Sequence, residues 1–222
     1  MKKTIFTMAV TAALVLSQAG NAQTNTTWEP EEIRCFNTEG VETGRIVFTY
    51  NSAGKRAEVL TQDRQNNIYV NKSRVTWTYD GNNNVLTSLT ESWQNDTWVN
   101  SGRLLITYDS NNNRLSQLGE SWRNNAWENS SRTSFTYDNN NNVLTNTTEF
   151  WLNNAWTNMT KTSYTSYDSN NNVLTYIIET WQNDTWVNNS RSFHTYDDNN
   201  NLLNRLAEYW QSNTSSWRNG AK

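Results

Sequence analysis

Val85-Leu86-Thr87-Ser88-Leu89-Thr90-Glu91-Ser92-Trp93-Gln94-Asn95-Asp96-Thr97-Trp98-Val99-Asn100 decides the fold. Thr, Val, Leu and Trp dominate both halves. Val85 to Gln94 has neither Pro nor Gly, and Thr97 to Tyr108 has one Gly. No 3.6-residue periodicity appears, so the halves read as two strands. Asn95-Asp96 between them is a pair of residues that tolerate positive φ, which predicts a two-residue type I′ turn. Gln94 then faces Thr97 and Trp93 faces Trp98. The Trp pair occupies a non-hydrogen-bonded site, where cross-strand side chains approach most closely.

The same hairpin recurs along the chain. Tyr79-Asp80, Tyr108-Asp109, Tyr137-Asp138, Tyr167-Asp168 and Tyr196-Asp197 are spaced by 29, 29, 30 and 29 residues, and Tyr50-Asn51 is a degenerate earlier copy. A fixed period of this size means an array of one supersecondary unit. The Trp pair returns as Trp122/Trp127, Trp151/Trp156 and Trp181/Trp186, and as Trp210/Trp217 with a longer linker. The connection between hairpins is the Tyr-Asp-x-Asn-Asn-Asn stretch. Gly54 aligns there with Asn83, Asn112, Asn141, Asn171 and Asn200. Gly at one copy and Asn at five marks a left-handed backbone position, hence a short turn. The expected fold is all-β: an antiparallel meander of about twelve strands, built from tandem ~29-residue hairpins in an elongated or rolled twisted sheet. Residues 50–222 form this array, and residues 23–49 precede it with degenerate strands.

Tyr-Asp-x-Asn-Asn-Asn-Val-Leu resembles the Tyr-Asp (YD, or RHS-like) repeat of exported bacterial proteins. It is most similar to the Trp- and Asn-rich repeat proteins of Bacteroidota. The period here is longer than in RHS proteins and a Trp pair is added. The resemblance implies a β-hairpin array outside the cytoplasm and implies no enzyme activity.

Export is also read from the N-terminus. Lys2 and Lys3 precede an apolar run from Ile5 to Leu16, followed by Gly20-Asn21-Ala22. This is the pattern of a signal peptide over residues 1–22, with the mature chain starting at Gln23. The run is too short for a membrane span. The whole chain carries 18 Lys and Arg against 21 Asp and Glu. Loss of the two signal lysines makes the mature chain more acidic, which argues against nucleic acid as partner. Cys35 is the single cysteine, so no internal disulfide framework exists; a small buried residue is the expected role.

Asp80, Asn82, Asn84 and Glu91 have the offsets of a calcium loop, and the pattern repeats. Val85 stands where such a loop needs Gly, and a strand would carry Glu91 about 20 Å away. The Asn and Asp side chains are therefore expected to cap their own turns, and no metal or other cofactor is assigned. Glu91, Glu120, Glu149, Glu179 and Glu208 recur once per unit, as do Arg74, Arg103, Arg132, Lys161 and Arg191. Cross-strand ion pairs are the expected role. Strict alternation places Arg103 on the face opposite Trp98 and Glu91, so pairing requires a bulge near Asn100 to Gly102. His194, the only His, is expected to be packed or at a rim. No nucleophile–base set or nucleotide-binding motif is present, so the chain is expected not to be an enzyme.

The aromatic strip Trp93, Trp98, Trp122, Trp127, Trp151, Trp156, Trp181 and Trp186 has two readings. One makes it the core of a sheet poor in aliphatics. The other makes it a partly exposed surface on which sugar rings stack. Two functions follow: a non-catalytic extracytoplasmic module for a glycan or surface partner, or a structural spacer or adhesin stalk whose units tile.

Overall fold

The structure is a computed structural model and describes residues 31–220. The predicted signal segment lies outside the described residues. Fourteen strands follow one another: Glu32–Phe36 (β1), Glu42–Tyr50 (β2), Arg56–Gln65 (β3), Ile68–Tyr79 (β4), Val85–Gln94 (β5), Thr97–Tyr108 (β6), Arg114–Arg123 (β7), Ala126–Tyr137 (β8), Val143–Leu152 (β9), Ala155–Tyr167 (β10), Val173–Gln182 (β11), Thr185–Tyr196 (β12), Leu202–Gln211 (β13) and Ser216–Asn219 (β14). They form one open sheet in chain order, β1 to β14. The described fold is thus the expected antiparallel meander. It has two strands more than expected, because residues 32–50, read as degenerate, complete a hairpin of their own.

The chain divides into two compact units within β6, between Arg103 and Leu104. In each unit, strands pair antiparallel with their sequence neighbours. No hydrophobic residue is buried among the described residues. Each unit is therefore a single layer held by hydrogen-bond ladders and same-face side-chain contacts, in place of a two-layer core.

Two turn types alternate, each set by its residues. The two-residue turns after the ten-residue strands have positive φ at both positions: Asn66 and Asn67 (50° and 63°), Asn95 and Asp96 (47° and 59°), Asn124 and Asn125 (51° and 59°), Asn153 and Asn154 (51° and 61°), and Asn183 and Asp184 (49° and 58°). This is the signature of the type I′ turn. In the Tyr-Asp turns only the middle Asn of the three is left-handed. Asn83, Asn112, Asn141, Asn171 and Asn200 have φ of 63–66°, and Gly54 has 72°. Asp138 caps its own turn: its Oδ1 accepts from the backbone N–H of Asn140 and Asn142, and its Oδ2 from the Asn142 side chain. The same bonds recur at Asp80, Asp109, Asp168 and Asp197. The carboxylates that resembled calcium ligands are engaged in holding the turns.

Candidate functional site

The Trp pairs lie where the turn register places them. Trp122 is opposite Trp127, Trp151 opposite Trp156, Trp181 opposite Trp186 and Trp210 opposite Trp217. The indoles meet edge to face, with centroids 4.9–5.1 Å apart and planes at 67–71°, and Trp93/Trp98 has the same geometry. Such pairs add about 0.5–1.5 kcal/mol beyond their burial. All ten of these indoles are half-buried, and none is enclosed.

The bulge that ion pairing requires is present in β4, β8, β10 and β12. Opposite Gln62 and Thr61 stand Asn71 and Ser73, so Lys72 is extra. Ser130, Met159 and Asn189 are extra in the same way. One inserted residue reverses the side-chain alternation beyond it. The cation two residues later thereby moves to the Trp face, directly opposite the Glu of the following hairpin. Arg74 Nε donates to Glu91 at 2.6 Å, Lys161 Nζ meets Glu179 at 2.6 Å and Arg191 Nε donates to Glu208 at 2.5 Å. Arg132 holds Glu149 through two bonds, Nε and Nη2, at 2.5 and 2.7 Å. Glu91 is only 8% exposed. The bond to Glu91 pushes the Arg74 guanidinium above its ordinary pKa, and the bond to Glu149 does the same for Arg132.

The same cations also lie over indoles. The guanidinium carbons of Arg74, Arg132 and Arg191 are 4.5 Å from the ring centroids of Trp98, Trp156 and Trp217, and Lys161 Nζ is 4.9 Å from that of Trp186. Each cation therefore leaves one hairpin, meets the Glu on the next strand and ends on the Trp one strand further. This joins neighbouring repeats by charge and by cation–π attraction. The face presents an aromatic strip whose fixed charges are internally neutralised.

The repeated Tyr and Asn form a second tie. Tyr79, Tyr137 and Tyr167 donate their hydroxyls to the carbonyls of Arg56, Arg114 and Val143, each at the start of the other strand of the same hairpin. Burial, then the neighbouring Tyr164 and Asp138, push the Tyr167 phenol up to about 12. Asn141 Oδ1 accepts from the side chains of Asn111 and Asn113 at 3.2 and 2.7 Å. Asn171 accepts from Asn142, and Asn200 from Asn170 and Asn172. The left-handed Asn is thus also a rung of a side-chain ladder, a role the turn argument did not supply.

Cys35 is a free, half-buried thiol in β1 rather than a fully buried one. His194 is half-buried, as a packed or rim His would be. What the residue-by-residue reading missed is its company, a row of tyrosines on the face opposite the Trp strip. Tyr176 and Arg205, where other repeats have Ser88, Gln117 and Asn146, are the sequence signal that marks it.

No family model and no curated protein matches the chain. Among solved structures, it is similar to a protein of unknown function from Bacteroides fragilis, at 13% identity and TM-score 0.33, over 68% of this chain and 89% of that one. It is similar to a porin-like protein from Bacteroides uniformis at 9% identity and TM-score 0.31, over 80% and 87%. It also resembles the Tc holotoxin pore of Photorhabdus luminescens at 12% identity and TM-score 0.33, over 81% of this chain and 12% of that one. None of these TM-scores reaches 0.5.

Proposed function

We propose that the chain is a non-catalytic, exported binding module whose Trp strip receives an extended glycan or a glycan-bearing cell-surface partner. One observation carries this reading: the paired indoles of five successive hairpins are half-buried and none is enclosed, and no hydrophobic residue is buried among the described residues. Aromatic rings stack on sugar faces, and the Asn, Thr and Glu beside them offer hydroxyl partners. Neutralisation of each Arg or Lys by Glu suits an uncharged polysaccharide. Neighbouring Trp pairs stand two strands apart, about 9.5 Å along the sheet. Export rests on the N-terminal pattern. No helix among the described residues is long and apolar enough to cross a membrane.

The spacer reading has support in the ties between repeats, since Asn rungs and Arg–Glu pairs join neighbouring hairpins without a ligand. Acrylamide quenching of Trp fluorescence, with and without glycans from an array, separates the two. The binding reading expects efficient quenching in the free protein and protection by one class of neutral polysaccharide. Quenching unchanged across the whole array leaves the spacer.

A further inference from the structure

Two positions of the repeat change character in the last units. The site occupied by Ser88, Gln117 and Asn146 becomes Tyr176 and then Arg205, and the site opposite it, occupied by Trp77, Ile106 and Phe135, becomes Tyr164 and then His194. Tyr176 is five residues from Trp181 in an unbulged strand, so it lies on the face opposite the Trp strip. Arg205 is likewise opposite Glu208. With Tyr176 where the other repeats carry Ser88, Gln117 and Asn146, these residues make a continuous aromatic row. Tyr164 lies 5.9 Å from Tyr176 between ring centroids, and Tyr176 lies 5.6 Å from His194. Tyr167 and Tyr196 extend the row at its two ends, at 6.5 and 6.4 Å.

Arg205 is fixed beside this row by neutral oxygens. Its Nε donates to Ser192 Oγ at 3.3 Å and its Nη2 to the Tyr176 hydroxyl at 3.2 Å. Ser192 is 2% exposed, donates to the Leu206 carbonyl and lies 3.3 Å from His194 Nε2, so it anchors both side chains. The cations of the Trp face each meet a Glu, whereas no carboxylate pairs with Arg205 among the described residues. Arg205 is itself exposed. Burial, then the Arg205 charge, hold the His194 imidazole below its ordinary pKa, so it adds no second charge at neutral pH. The result is a pre-oriented, uncompensated guanidinium at the edge of an aromatic platform. Its remaining N–H groups match a planar carboxylate.

We propose that Tyr164, Tyr176, His194 and Arg205 form a second binding site, on the face opposite the Trp strip, for a sugar acid whose ring stacks on the aromatic row and whose carboxylate meets Arg205. A neutral sugar would leave the guanidinium uncompensated, and a small anion would leave the platform unused. The site is independent of the function proposed for the Trp strip.

The chain has one His, so the imidazole Cε1–H resonance of His194 reports the site alone. The experiment titrates the chain with a galacturonic acid trimer, with its methyl ester and with inorganic phosphate. The acid is expected to shift the resonance saturably, and the ester and phosphate to bind at least about tenfold more weakly, the scale of one charge-assisted hydrogen bond. Arg205→Gln should lose the acid by a similar factor. Arg205→Lys, which keeps the charge and loses the fork, should bind between the two, and it serves if the Gln variant melts early. Trp181→Ala, on the other face, should bind the acid as the parent does. Equal binding of ester and acid, an equal shift from phosphate, an Arg205→Gln variant that binds as the parent, or no saturable shift would each overturn the proposal.

Discussion

Substitution at Asn141 separates two roles that fall on one residue. Its φ is 63°, in the left-handed region, and its N–H closes the turn on the Asp138 carbonyl at 3.1 Å. Its Oδ1 also accepts from Asn111 and Asn113. The turn alone predicts that Gly is neutral, because Gly54 fills the equivalent place with φ 72°. The ladder predicts a cost. Exposed side-chain bonds contribute at the low end of about 0.5–1.5 kcal/mol each. Relief of left-handed strain in Gly offsets part of that loss, against its greater unfolded-state entropy. Asn141→Gly is therefore expected to cost about 0.5–1 kcal/mol. Asn141→Val loses the same bonds and adds a strain of about 1–2 kcal/mol for a β-branched Cβ at positive φ, for a total of about 2–3 kcal/mol. Urea melts of both variants, beside Asn113→Ala and the Asn113→Ala/Asn141→Gly double variant, measure this. Coupling between positions 113 and 141 should appear as sub-additivity of the double variant. Equal costs for Gly and Val would refute the left-handed constraint. A neutral Gly variant with strict additivity would refute the ladder.

Other outcomes follow from the same geometry. Deleting Ser130 removes the bulge and returns Arg132 to the opposite face. The deletion should destabilise by at least about 1 kcal/mol more than Ser130→Ala, in line with the loss of a bidentate charged pair, and equal melting temperatures would dismiss the bulge as the cause of pairing. The turn carboxylates Asp80, Asp109, Asp138, Asp168 and Asp197 are held below their ordinary pKa by the N–H groups of Asn84, Asn113, Asn142, Asn172 and Asn201. A depressed folded-state pKa contributes stability above the unfolded value of about 3.9 that is lost as pH falls through the folded one. The melting temperature should therefore hold from pH 7 to about 5 and drop below about 4; a flat profile to pH 3 would contradict this. Trp156→Ala removes the edge-to-face partner of Trp151 and the surface beneath Arg132. It should cost about 2 kcal/mol, as read by denaturant titration, and a loss under about 0.5 would show that the half-buried pair adds little.

Much of the fold was legible because it is local. Two adjacent residues that accept positive φ set a type I′ turn, and that turn sets which residues face each other, so Trp151 and Trp156 are joined by chemistry six residues long. The Gly-for-Asn exchange at residue 54 disclosed the other turn for the same reason. The hairpin at residues 32–50 was read as degenerate because it lacks the Trp pair and the Tyr-Asp motif; its pairing comes from the neighbouring strand rather than from a signature. The ion pairs needed a bulge that no propensity announces: Lys72, Ser130, Met159 and Asn189 share no residue type, and only the register shows them to be the same position. Whether the Trp strip is core or surface also lay beyond the sequence. Alternation says that residues share a face, but not whether a second layer covers that face. Only the tertiary structure shows the paired indoles half-buried, with no hydrophobic residue buried among the described residues, and draws Tyr164, Tyr176, His194 and Arg205, four residues from four strands, into one cluster on the other side.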